Sequence, residues 1–145
     1  MNPFQCSYDH RLREWKHLRI ISRGKPIDQL CVDIDRWWQQ APLINYHTHP
    51  MDANNWPDPW TMLSENIYCN LTRALGICYT LLMCDIINVH LYQAHDHECV
   101  DHNLVVVGHA KYVLNYYPNT VLSTNLNEFT INNTLDLDPL YQHIK

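Results

Sequence analysis

The sequence predicts an α+β domain in which N-terminal helices and a buried central helix pack on a small, mostly antiparallel sheet. Three observations carry this. Apolar residues recur at helical spacing through residues 1–40. The run NIYCNLTRALGICYTLLMCDI (Asn66–Ile86) is too apolar for a surface helix. Three short strand-like stretches follow it: VHLYQA, HNLVVV and KYVLNYY. Helices first and strands afterwards is the α+β order. The 145 residues suit a single domain, 1–145, with a core of its own. It divides into a helical part (1–40), a Pro/Trp-rich irregular segment (41–65) and a helix-plus-sheet core (66–145).

A first helix is expected over residues 8–20, with Tyr8, Leu12, Trp15 and Leu18 near one face. Ser-Arg-Gly-Lys-Pro breaks it. Pro26 and Asp28 suit a second start, and Ile27, Leu30, Cys31, Ile34 and Trp37/Trp38 continue the spacing to about Gln40. Residues 41–60 hold four prolines and many Asn and Asp, so an ordered irregular segment pinned by Trp56 and Trp60 is expected. The central helix presents Ile67, Leu71, Ala74, Leu75, Cys78, Leu81 and Leu82 on one side. Its other side carries Cys69, Thr72, Gly76, Thr80 and Met83, with Arg73 as the lone charge. A solvated back face would carry Lys and Glu, so this helix is expected to be covered on more than one side. Strands are expected near 88–94, 103–108 and 111–117, with AHDHECVD as a polar hairpin between the first two. Thr120–Ser123 and Glu128–Ile131 are candidates for short strands, and LDLDPLYQHIK for a turn and short helix.

Composition narrows the function classes. With 46% hydrophobic residues and no low-complexity tract the chain is globular rather than disordered. A net charge of −5, with Lys and Arg gathered toward the N-terminal part, gives no basic stripe for nucleic acid. No apolar run is long enough to span a bilayer, and MNPFQCSYDHRLREW lacks a signal-peptide core. Six cysteines without a CxxC pair then read as reduced, cytoplasmic thiols in a protein that is not secreted.

One cysteine sits where chemistry is possible. Cys69 lies about three residues beyond a plausible helix cap at Asn66, where unpaired amides and the helix dipole favour a thiolate. His102, at the mouth of a following strand, would supply the base, and Asn115, on the next, would orient the imidazole. The backbone amide of Cys69 would serve as an oxyanion donor. The alternative for any such triple is chance, given six cysteines and ten histidines. Trp56 and Trp60 would wall a substrate groove beside Cys69, or else pack in the core.

The stretch NWPDPWTMLSENIYCNLTRALGICYTLLMCDI resembles the heart of transglutaminase-like (papain-like) cysteine hydrolases, particularly small phage-type members. These show a Trp/Pro-containing lead-in, Gly-Asp-Cys at a helix start, Leu-Gly-Ile near the helix end, a His-led strand and a strand ending in Asp. The resemblance spans roughly residues 55–118. It implies a transglutaminase/papain-like fold with Cys69 as nucleophile, His102 as base and Asn115 as orienter. Departures are Ile67-Tyr68-Cys69 in place of Gly-Asp-Cys, Asn115 in place of Asp, and Leu104 where an aromatic is common. The whole chain also resembles small proteins of marine tailed phages. That implies a phage protein located in the cytoplasm of an infected bacterium or in the virion.

Histidines offer a rival site. His47 and His49 in LINYHTHP resemble the zinc motif of JAMM-type isopeptidases, but Asp58 and Thr61 stand where that family has Ser and Asp. His95-Asp96-His97-Glu98-Cys99 with His102 offers donors for a metal, though a solvated turn is the simpler reading. The leading expectation is therefore a thiol acyl transferase or amide/peptide hydrolase acting on a protein or peptide, with no cofactor, no metal, no nucleic acid and no membrane. The alternatives are a catalytically inactive structural or adaptor protein contacting other virion proteins, and an HxH zinc hydrolase.

Overall fold

Helices form here where apolar spacing meets a cap that satisfies the first amides. In the computed structural model, which describes residues 2–44 and 52–144, Ser7 accepts the His10 N–H and opens α1 (Tyr8–Ser22). Pro26 precedes α2 (Ile27–Trp38). The segment expected to be irregular contains a helix, α3 (Pro59–Glu65). Asp58 accepts the Thr61 N–H at 2.8 Å, and Pro59 occupies the first turn, where a missing amide does no harm. Asn66 closes α3 in a left-handed conformation (φ 56°) that asparagine tolerates, and its Nδ2 donates to Phe4 O. The central helix α4 therefore runs Asn70–Met83, with Cys69 rather than Asn66 at its N-cap.

Every side chain of α4 from Leu71 to Leu82 is buried, which accounts for the lack of a charged back face. α1, α2 and α3 cover one side and the sheet covers the other. The tightest point is at Gly76 and Thr80. The Thr80 hydroxyl accepts from the indole N–H of Trp15 and of Trp38, each at 2.9 Å, and donates to Gly76 O at 2.7 Å. Gly76 leaves the room for this: a Cβ there would meet the Trp38 ring at 2.5 Å.

The strands are β1 (Val89–His95), β2 (Asp101–Val107), β3 (Tyr112–Leu114) and β4 (Thr130–Leu135), in the order β3-β2-β1-β4 and antiparallel throughout. β3 is shorter than expected because Asn115 turns left-handed (φ 65°) and ends it. Residues 120–123 form a turn rather than a strand, and the last strand begins at Thr130, beyond a short 3-10 turn at Leu126–Glu128. The tail helix is α5 (Asp138–His143). Strand alternation divides the sheet's apolar residues. Leu91, Val105, Val107 and Leu114 join α4 in the main core, whereas Ala94, Leu104, Val106 and Val113 form a second cluster on the far face under Tyr92, Tyr116, Leu126 and Phe129. No helix among the described residues is long and apolar enough to cross a membrane.

Two substitutions test the centre of this packing. Gly76→Ala should lower stability by about 1–3 kcal/mol through overpacking. Thr80→Val, which strands two buried indole donors, should lower it by about 2 kcal/mol or more. Urea unfolding monitored by tryptophan fluorescence measures both, and unchanged midpoints would show that the contacts carry no weight.

Candidate functional site

The residues expected to carry chemistry fall into two environments on opposite faces of the sheet. Cys69 is 5% exposed at the head of α4. Its backbone N–H donates to Thr72 Oγ1 at 2.7 Å, and the Thr72 hydroxyl lies 3.1 Å from Cys69 O and 3.5 Å from Sγ. The amide expected to serve as an oxyanion donor is thus already occupied by the helix's own capping contact. A cavity of about 370 Å³ reaches Thr72 between Pro57, Thr61, Glu65 and Ile67.

Asn115 is fully buried and belongs to a polar network that sequence reasoning missed. Its Oδ1 accepts from Arg73 Nε at 2.7 Å, and its Nδ2 donates to Asn103 O at 2.8 Å and Asn70 O at 3.2 Å. Its backbone N–H donates to Asp35 Oδ1 at 2.8 Å. Asn70 Oδ1 in turn accepts both the backbone and side-chain N–H of Asn103. Asn115 therefore knits α2, α4, β2 and the end of β3 together, with both its side-chain oxygen and its side-chain nitrogen engaged in that network. The only hint in the sequence was Arg73, a lone charge on an otherwise apolar helix.

His102 lies elsewhere. It pairs across the strands with Ala94 and precedes Leu104 and Val106 on the face turned away from α4. Its Nε2–H donates to Asp96 Oδ2 at 3.0 Å, and its ring stands edge-on to Tyr116, Tyr117 and Phe129, with centroids 4.8, 5.9 and 6.1 Å away. Of the expected Cys69–His102–Asn115 constellation, Cys69 and Asn115 lie on the helix side, with Asn115 bonded to Asn70, the residue after Cys69, and His102 is paired with Asp96 on the other face. Strand periodicity explains the difference, since residues 103 and 105 face the helix and residue 102 cannot.

Of the two tryptophans expected to wall a groove, Trp56 is a core residue, 3% exposed, whereas Trp60 is 38% exposed and stands edge-on to Trp15 with ring centroids 6.1 Å apart. The His-rich hairpin is a turn held by Asp96, whose Oδ1 accepts the Glu98 and Val100 N–H groups, while His95 Nδ1 pairs with Asn132 Oδ1. Among the described residues no three His, Cys, Asp or Glu side chains converge to hold a metal, and His47 and His49 lie outside the described residues. Of the other cysteines, burial near Asp28 and Asp35 pushes the Cys31 thiol up to about 12, and burial alone raises Cys78. Cys99 is exposed.

The Asp96 carboxyl is held below the usual carboxylate range, first by the hydrogen bond from His102 and then by the Val100 amide. A lowered folded value means that Asp96 stabilises the fold above its unfolded value near ~4, and that this contribution fades as pH falls through the folded value. Asp96→Asn should therefore flatten part of the acid loss of stability below about pH 4. Urea unfolding of both proteins across that range measures it, and parallel curves would refute the pairing.

Compared with protein-family models, with curated proteins and with solved structures, the chain gives no match in any of the three.

Proposed function

We propose that this protein is a catalytically inactive structural or adaptor component, a degenerate relative of the transglutaminase-like hydrolases that its helix-then-strands order resembles, acting through contact with other proteins of a phage particle. One observation carries the reading. The imidazole required as base is held by Asp96 and three aromatic rings on the sheet face away from α4, while the amide required to orient it is bonded instead to Arg73, Asn70 and Asn103 on the helix side. A protein-contacting role also suits that outer face, where exposed Tyr117 and Ile131 flank the His102–Tyr116–Phe129 cluster.

Thiol acyl transfer is the second reading, and a specific feature favours it: Cys69 caps the N-terminus of a 14-residue helix whose first-turn Thr72 lines a cavity. Peptide-mapped iodoacetamide labelling from about pH 5 to 9 separates the two. Wild type, Cys69→Ser and His102→Ala are compared. Exposed Cys99 should be modified first, with the profile of an ordinary thiol. Cys69 should label only on unfolding, in wild type and His102→Ala alike. Rapid labelling of Cys69 at low pH that slows in His102→Ala would overturn the structural reading in favour of the enzyme.

A further inference from the structure

All of the chain's net charge lies in its sheet half. Up to Arg73 acids and bases balance at eight each, and beyond it seven Asp and Glu stand against Lys111 and Lys145 alone. Within that half β4 is an outermost strand, paired on one side only, with β1. Among the described residues no turn, cap or side-chain hydrogen bond reaches the backbone of residues 130–135, so the outward amides and carbonyls of β4 are left to solvent. The other edge differs: β3 has three residues, all buried, and lies against α2. Open edges are commonly blunted by Lys or Pro, yet β4 (TINNTL) has neither and carries no charge at all. Thr130 to Thr134 are exposed. Its one irregularity is a bulge at Asn132, between Ile131 opposite Ala94 and Asn133 opposite Gln93.

Charge decides what suits this edge. Two copies of β4 paired antiparallel about Asn132 and Asn133 would bring Glu128 of each alongside Asp136 of the other, between bodies that each carry −5. The twist at the bulge also opposes the joining of two rigid sheets, whereas a single free strand can follow it. An extended basic segment meets the opposite situation. Acids stand at both ends of the edge, Glu128 before it and Asp136 and Asp138 after it. Its Thr130 end lies opposite His95, where the Asp96 turn with exposed Glu98 begins. Neither Glu98 nor Glu128 forms an ion pair among the described residues. Phe129 leads into β4 with its ring centroid 5.0 Å from that of Tyr116, which packs on exposed Tyr117 at 4.4 Å. The Tyr116 phenol is pushed up by burial first and then by nearby charges that include Asp96, Glu128 and Glu98, so the carboxylates gather around these rings. A Lys or Arg arriving here would find carboxylates for its head and aromatic surface for its stem.

We propose that the open edge of β4 docks an extended basic segment of a partner protein, which adds antiparallel as a further strand and sets a Lys or Arg on Glu128 and Glu98. The proposal rests on the adaptor reading and names its class of partner. The probe is the end-capped peptide Lys-Thr-Val-Thr-Val-Thr-Lys, titrated into the full chain and followed by ¹H–¹⁵N chemical shifts. One control peptide is N-methylated through its five central residues and cannot donate to a ladder; the other carries Glu in place of both Lys. The basic peptide should give saturable shifts in residues 128–136 with a Kd on the order of 100 µM. Each control should bind about tenfold more weakly or worse. Glu128→Lys and Ile131→Lys, both at exposed positions, should each weaken binding of the basic peptide about tenfold. If one variant fails to fold by circular dichroism, the other decides the matter. Absence of saturation, equal binding of the methylated peptide, or binding unchanged in whichever variant folds would overturn the proposal. So would a dimer that Ile131→Lys dissolves while the peptide leaves residues 130–135 unshifted, since a second copy would then own the edge. A failed titration would not alter the labelling of Cys69, so the adaptor reading stands or falls separately.

Discussion

A single hydroxyl fixes how the helices meet. Thr80 is buried, and its oxygen accepts from two indoles that arrive from different helices while its proton goes to Gly76 O one turn back. This uses the full bonding capacity of the group, so no polar atom is stranded in the apolar interior. It also fixes the positions of Trp15 and Trp38 together, which sets α1 and α2 against α4. Phe4 then packs on Trp37, Trp38 and Tyr68, and Arg11 ties α1 to the Leu63 carbonyl of α3. Gly76 belongs to the same constraint, because the Trp38 ring occupies the place of the missing Cβ.

The opposite side of α4 solves a harder problem, since it brings charge into the interior. Burial lowers the Arg73 guanidinium's pKa, although arginine stays protonated in proteins, and burial raises the Asp35 carboxyl despite hydrogen bonds from Asn115 and Gln39. A carboxyl raised in this way stabilises most in acid, and that contribution is lost as pH rises through its folded value, the opposite of Asp96. Asn115 stands between the two charged groups. Its backbone amide serves Asp35 and its side-chain oxygen serves Arg73, while its left-handed backbone ends β3 where α2 passes. Asparagine suits all three duties, being a donor, an acceptor and tolerant of positive φ.

Much of the architecture was legible. The apolar spacing of α1 and α2, the unusually apolar α4, the three following strands and the tail helix all appear in the structure, because each rests on a strong period or a clear cap. The errors come from local chemistry that has two solutions. Asn66 reads equally well as an N-cap or as a left-handed terminator, and the capped turn Asp58–Pro59 makes it the latter. Proline-rich sequence around α3 reads as loop, although proline at a first helical turn is favourable. The candidate site was least legible, because sequence order shows which side chains lie near strand ends but not which face they take.

That last point decides how far Cys69 and His102 are from cooperation. Bringing His102 to the helix side by slipping β2 one residue would also turn every later side chain of the strand. Val105 and Val107 would leave the main core, and Leu104 and Val106 would be driven into space shaped for valine against α4. Asn103 would lose Asn70, and the Asn103 carbonyl would no longer meet Asn115. The Asp96 turn adds a second lock, since one carboxylate holds both the hairpin amides and the imidazole. The packing of β2 and the separation of sulfur from imidazole are therefore the same fact: the register that fills the core is the one that keeps His102 on the outer face.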